Sequence, residues 1–159
     1  MSKSLSISWE QFHLNTLALV KKLKKYEFNR IIVVSRGGLV PASIIASELD
    51  IRYVDTICYQ SYNNNKQSSI ELIKRPLVLN TLINPKTLII DDITDTGKTF
   101  KTIDNLNKNT WPLIWPTPAN ASCFASVYTK PQGKEFINEF AVEVDQDVWV
   151  EFPWEKIGI

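Results

Sequence analysis

Leu88-Ile89-Ile90-Asp91-Asp92-Ile93-Thr94-Asp95-Thr96-Gly97-Lys98-Thr99 is the stretch on which the reading of this 159-residue chain turns. Its first residues, with Thr87, form an apolar run without polar alternation, the pattern of a strand buried on both faces. That strand ends in two adjacent carboxylates. A third acid, a glycine and two threonines follow, leading into a helical pattern from Phe100 to Leu106. Asp95–Thr99 offers backbone amides and hydroxyls at a helix N-terminus, where anions bind readily. Asp91 and Asp92 add hard oxygen ligands suited to a hydroxylated sugar or to Mg²⁺. One end of the loop suits a phosphate and the other a polyol or cation, so a phosphorylated sugar satisfies both. Helix capping accounts for one or two of these residues, but not for three acids plus Gly-Lys-Thr behind a buried strand. Gly97-Lys98-Thr99 also matches the end of a P-loop. That motif needs a glycine where this chain has Asp92, whose charge would repel nucleotide phosphates.

Outward from this loop the chain keeps alternating. Ser8 and Gln11 have capping-box spacing, and Trp9, Phe12, Thr16 or Leu17, Val20 and Leu23 recur at helical spacing, predicting a helix over 9–25. Arg30 opens Ile31-Ile32-Val33-Val34, a second doubly buried strand. Ser35-Arg36-Gly37-Gly38 breaks it, and residues 39–49 read as helix with Pro41 tolerated in the first turn. Residues 52–57 read as strand, the amide-rich stretch 60–69 as a mobile loop, and 77–79 as a short strand. Strands are expected again at 121–128, 140–144 and 148–150. This alternation predicts an α/β fold with a mainly parallel twisted sheet flanked by helices. Loops 35–38 and 91–99 each follow a strand and precede a helix, so they open onto one crevice at the carboxyl ends of the strands. Trp111-Pro112-Leu113-Ile114-Trp115-Pro116-Thr117-Pro118 is too proline-rich for helix or central strand. It either packs on its own domain or forms an apolar patch for another subunit.

Composition narrows the alternatives. The length predicts one domain, 1–159. A net charge of +1 leaves no footprint for nucleic acid. The one basic cluster, Lys21-Lys22-Leu23-Lys24-Lys25, falls where the first helix ends, and cations favour that end of the helix dipole. No apolar run approaches the roughly 20 residues of a membrane span, and Met1–Leu5 lacks the apolar core of a signal peptide. Cys58 and Cys123 sit in separate apolar stretches and read as buried free thiols. His13, the only histidine, lies in the first helix and reads as structural, which leaves zinc clusters and Ser-His-Asp triads unsupported.

With these residues in hand, the chain resembles a type I phosphoribosyltransferase, whose binding motif for 5-phosphoribosyl 1-pyrophosphate (PRPP) is an apolar strand followed by DDxxDTGxT. Val33–Pro41, Val54-Asp55-Thr56, Lys74-Arg75, Lys130-Pro131-Gln132-Gly133 and Asp147–Trp154 are similar, in order, to the xanthine-guanine phosphoribosyltransferase family. The resemblance implies purine salvage: transfer of 5-phosphoribose from PRPP to N9 of guanine, xanthine or hypoxanthine, with Mg²⁺. It implies that Arg36 and Gly37 hold pyrophosphate, entered through a peptide that is often cis in the family. It implies that Asp91 and Asp92 face the ribose hydroxyls, with Asp92 the contact to the metal. Asp95 is implied beside purine N7 as the proton acceptor, with Thr96, Gly97, Lys98 and Thr99 as the 5′-phosphate cradle. Lys130 is implied to read the 6-oxo group, Trp149 to stack on the base, and the Val150 carbonyl to meet a 2-amino group. The resemblance further implies a small hood formed largely by residues 129–159 and a homo-oligomer, tetramer or dimer. The implied setting is cytoplasmic, at most peripheral at the inner membrane face.

This chain also departs from the family pattern. Ser68 stands where close relatives place an arginine in the mobile loop, leaving Lys66 as the nearby candidate cation. The Trp111–Pro118 stretch looks like an insertion, and the chain stops soon after Trp154. Lys98 replaces a glycine of close relatives and occurs in hypoxanthine-guanine enzymes. Two other readings stay open at this point: a non-catalytic PRPP or nucleotide sensor on the same fold, and a small P-loop kinase.

Overall fold

Strand β2 (Arg30–Ser35) lies at the centre of a six-stranded sheet, and its neighbours explain its sequence. It pairs in parallel with β3 (Tyr53–Asn64) on one side and β5 (Thr87–Thr94) on the other. Ile31 and Val33 point into one core with Leu88 and Ile90. Ile32 and Val34 point into a second core with Ile89 and Ile57. Helices α1 (Trp9–Leu23) and α2 (Leu39–Glu48) supply Phe12, Leu19, Leu23, Ala42 and Ile45 to the first core. Helix α3 (Lys98–Asn109) covers the second with Phe100 and Ile103. Both faces of the central strands are dry, which is why they show no polar alternation.

These coordinates come from a computed structural model, which describes residues 3–64, 67–76, 86–109 and 122–155. The remaining strands are β1 (Lys3–Ser6), β4 (Gln67–Lys74), β6 (Ser122–Thr129), β7 (Glu139–Glu143) and β8 (Val148–Glu151). The sheet order is β4-β3-β2-β5-β6-β7, parallel throughout except for the antiparallel β3–β4 pair. After β2 the chain moves to one side of the sheet, and after β5 to the other. The loops following these two adjacent strands therefore diverge, leaving a crevice at their carboxyl ends.

Ser8 caps α1 by accepting the Gln11 N–H at 3.1 Å, whereas the Gln11 side chain bonds Asn15 (3.0 Å). Only half of the expected capping box forms. The polar stretch 60–69 corrects the sequence reading more strongly. Apart from residues 65–66, it is not a loop but the distal part of a hairpin that pairs Asn63 with Ser68 and Asn64 with Gln67. Cross-strand backbone hydrogen bonds satisfy the chain whatever the side chains, so a polar composition does not exclude a ladder. Lys66, the short strand expected at 77–79 and the Trp111–Pro118 segment lie outside the described residues. Cys123 is buried and its thiol is pushed up to about 12 by that burial, whereas Cys58 is only half-buried; both are free. His13 is exposed on α1. Among the described residues no helix is long and apolar enough to cross a membrane.

A second, two-stranded sheet joins the chain's ends. β1 runs parallel to β8, matching Ser4 to Trp149 and Leu5 to Val150, and the Ile7 N–H reaches the Glu151 carbonyl at 2.9 Å. Aromatic packing fastens this sheet to α1. Phe12 meets Trp154 edge-on at 4.7 Å, and Trp154 stacks on Phe152 at 4.7 Å.

Glu139 ties β7 to the 3₁₀ turn after α1, Lys24–Tyr26, accepting from Lys25 Nζ and the Tyr26 hydroxyl at 2.7 Å each. Burial pushes its carboxyl up, but these two donors outweigh burial and leave it below the usual carboxylate range. A depressed acid stabilises the fold above its unfolded pKa, and that support is lost as pH falls through the folded value. Glu139→Gln is expected to cost about 0.5–1.5 kcal/mol at neutral pH. The deficit against wild type should close as urea titrations are taken below about pH 4.

Candidate functional site

The crevice at the end of β2 and β5 is a cleft of about 1270 Å³. Ser35, Arg36 and Gly37 line it from the loop after β2, Asp91 and Asp92 from the end of β5, and Trp149 from β8. Beside it lies a pocket of about 110 Å³, walled by Asp95, Thr96, Gly97 and Lys98. Asp91 and Thr99 belong to both, so the large cavity adjoins a small one rimmed by the start of α3. The residues singled out from the sequence at 36–37 and 91–99 thus converge, although more than 50 positions separate the two loops.

Asp92 is the tightest point of this arrangement. Its side chain is 8% exposed, and its carboxylate fills the space that a Cβ on Gly37 would need. Any side chain at 37 would displace that carboxylate, so the loop after β2 can approach β5 only as glycine. The Ser35–Arg36 peptide is cis, as the resemblance implied. Asp91 Oδ1 accepts the Asp92 N–H at 2.9 Å, and Asp92 Oδ1 the Ile93 N–H at 2.7 Å. Burial pushes the Asp91 carboxyl well above its ordinary range, and the Asp92 charge beside it adds to this. Asp92 is also raised, foremost by burial. Its hydrogen bonds with Asp91 and the Ile93 N–H pull it back, and the Glu155 charge pushes it further up.

Gly97 carries the other conformational constraint. Its φ of +74° lies in the left-handed region, and a Cβ there would run into the Phe136 ring. Phe136 belongs to a 3₁₀ turn, Lys134–Phe136, following the Lys130-Pro131-Gln132-Gly133 segment. That segment is fastened to the end of β5: the Lys130 N–H donates to the Thr94 carbonyl at 2.9 Å, and Gly133 packs against the same carbonyl. Lys130 is 6% exposed, and its Nζ stands 3.2 Å from Asp95 Oδ1. The resemblance implied that both residues face the base; their direct ion pair is what the folded structure adds.

Trp149 is 63% exposed at the cleft wall. Val150 alternates inward, with its side chain in the first core and not on the cleft; the role expected of it needs only its backbone carbonyl. The lining also includes residues the sequence reading did not single out: Tyr59, Gln60, Ile73, Glu151 and Glu155. Gln60 comes from the stretch expected as a loop, and Tyr59 precedes it on the same strand, β3. Glu151 and Glu155 make the cleft strongly acidic, with four carboxylates against Arg36, the one cation among the described lining residues.

That balance bears on a metal. No group of three or more His, Cys, Asp and Glu side chains gathers tightly enough to ligate an ion among the described residues. Mg²⁺, however, is commonly held by one or two carboxylates, with waters and substrate phosphates completing the shell. Asp91 and Asp92, disfavoured as a pair of buried anions, fit such a cation.

A family model described as a phosphoribosyl transferase domain matches residues 9–156. The xanthine-guanine phosphoribosyltransferase of Chromohalobacter salexigens is 32% identical over 153 residues, 96% of this chain and 85% of that one. A purine phosphoribosyltransferase from Pyrococcus horikoshii superposes with a TM-score of 0.77 at 27% identity, covering 100% of this chain and 98% of the other. The xanthine-guanine-hypoxanthine phosphoribosyltransferase of Helicobacter pylori has the same fold, with a TM-score of 0.80 at 23% identity over 95% of this chain and 93% of its own.

The electrostatics of Asp91 make a stability prediction. A carboxyl whose pKa rises on folding supports the fold while protonated, and that support disappears as pH rises through the folded value. Asp91→Asn, neutral at every pH, is expected to raise the melting temperature at neutral pH. The gain over wild type should shrink as the buffer is taken toward about pH 4, where the native carboxyl is protonated too.

Proposed function

The chain belongs to the phosphoribosyltransferase family, and from that premise we propose that it salvages 6-oxopurines. It transfers 5-phosphoribose from PRPP to N9 of guanine, xanthine or hypoxanthine, giving the nucleoside 5′-monophosphate and pyrophosphate. The observation that carries this reading is the cleft adjoining a small pocket, with Asp91 and Thr99 shared between them. A phosphorylated sugar spanning both would set its phosphate at the start of α3 and its hydroxyls against Asp91 and Asp92.

In this reading the C1′–O bond to pyrophosphate breaks as the C1′–N9 bond forms, and positive charge develops on the ribose. Asp91 and Asp92 stabilise that charge electrostatically. Arg36 and the Gly37 backbone bind the departing pyrophosphate. Asp92 would hold Mg²⁺, which would supply further positive charge to the phosphate oxygens. Thr96, Gly97, Lys98 and Thr99 hold the 5′-phosphate, using the helix N-terminus and the left-handed glycine to bring amides close. Asp95 takes the N7 proton of the base, and Lys130 donates to its 6-oxo group. Trp149 stacks on the base, and the Val150 carbonyl accepts from a 2-amino group. In this reading the β1–β8 sheet acts as the hood over the site, whereas β7, also within the expected hood segment, belongs to the central sheet. The same reading takes the protein as a cytoplasmic homo-oligomer, dimer or tetramer. A regulatory sensor on this fold would need a nucleic-acid surface, which a net charge of +1 does not supply, and a P-loop kinase would need a glycine in place of Asp92.

Guanine is expected to become its 5′-monophosphate only when PRPP and Mg²⁺ are both supplied, followed by absorbance. Turnover without PRPP, or phosphorylation driven by ATP, would overturn the reading.

Lys130 makes the choice of base testable. An ammonium only donates hydrogen bonds, so it suits a 6-oxo acceptor and meets the 6-amino donor of adenine badly. Sites that read a polar group in this way reject analogues lacking it by up to about 10⁴–10⁵. Wild type should therefore use guanine and barely use adenine, and Lys130→Met should erode that ratio of kcat/KM. An unchanged ratio would remove Lys130 from the role.

A further inference from the structure

Gln146 lies between β7 and β8, and no role proposed above uses it. Its side-chain amide bridges two segments. Nε2 donates to Asp95 Oδ1 at 3.0 Å, and Oε1 accepts the Gln132 N–H at 3.0 Å. A carboxylate only accepts and a backbone N–H only donates, so one orientation of the amide satisfies both. Turned over, it would set oxygen against oxygen and amide against amide. The bridge therefore has a direction, and the donor points at Asp95.

Asp95 needs such a partner. Its side chain is 54% exposed, and the terminal torsion of an aspartate is broad and two-fold, so an unheld carboxylate exchanges its oxygens freely. Here Gln146 and the Lys130 ammonium, 3.2 Å away, both engage Oδ1. Among the described residues neither a hydrogen bond nor an ion pair falls on Oδ2. In the proposed reaction Lys130 turns its ammonium to the 6-oxo group of the base, which loosens its hold on Asp95. The Gln146 donor has no such second duty.

We infer that Gln146 is a positioning residue, which holds Asp95 Oδ1 while a base is bound and leaves Oδ2 to meet the N7 proton. The inference rests on the proposed proton transfer to Asp95. The competing role is structural: Gln146 would only staple its turn to the Gln132 backbone.

Two substitutions separate these roles. Gln146→Glu keeps an acceptor for the Gln132 N–H but puts a carboxylate oxygen where the donor to Asp95 stood. Gln146→Met removes both groups at similar length. Positioning predicts that each lowers kcat by about 10–100-fold, the usual consequence of a misplaced catalytic group, with the KM for PRPP changed less than about twofold. In an Asp95→Asn background, itself expected to lose about 10²–10⁴ in kcat, neither should cause further loss. A wild-type kcat for Gln146→Glu beside an impaired Gln146→Met would mean a structural staple and overturn the inference. So would losses that add fully to that of Asp95→Asn. A folded Asp95→Asn protein with wild-type kcat would instead overturn the role of Asp95 itself, whatever the Gln146 variants do.

Discussion

The carboxylate of Asp92 resting in the space left by the absent side chain of Gly37 is the contact on which the rest of the site depends. It brings the loop after β2 against the end of β5, the two strands between which the chain reverses its direction of travel across the sheet. The contact is electrostatically costly, because two adjacent carboxyls are buried together and both are pushed toward protonation. A cation held there, as proposed, would relieve that cost, and the protein would then be more stable occupied than empty.

The rigidity behind this contact comes from the sheet. β2 and β5 carry apolar side chains on both faces, packed against α1 and α2 on one side and α3 on the other. Strands held in this way are fixed by close packing on both faces. The loops at their ends inherit that fixity and can present backbone amides and carboxylates at defined places. Glycine is required at two of these places, Gly37 for close approach and Gly97 for a left-handed turn under Phe136.

The segment 130–136 joins the two halves of the chemistry. It is bound to Thr94 through the Lys130 N–H, packed on Gly97 through Phe136, and linked to Asp95 through Lys130 Nζ. The loop that would hold phosphate and the lysine that would read the base are therefore one packed unit. Gln146 extends the unit to the turn before β8, the strand that carries Trp149. The opposite end of the chain contributes through β1, which pairs with β8 and completes the small sheet beside the cleft.

The sequence by itself determined the central strands, the helices after them and the acid-rich loop, because those signals are local. A doubly buried strand needs an uninterrupted apolar run, and a helix N-terminus built for anions needs glycine and hydroxyls at set offsets. Asp91, Asp92 and Asp95–Thr99 were legible for that reason, and Arg36, Gly37, Lys130, Trp149 and Val150 through the resemblance carried by the order of motifs along the chain. Tertiary structure alone decided what depends on distant pairing. β1 is four exposed residues whose partner lies more than 140 positions away, so nothing in its own composition marks it as a strand. Residues 60–69 read as loop because their side chains are polar, yet strand pairing is a property of the backbone and of the segment opposite. Gln146 and Lys130 converge on one oxygen of Asp95 because β7 lies beside β6 and β6 beside β5. That adjacency is created by folding, and no spacing within the sequence encodes it.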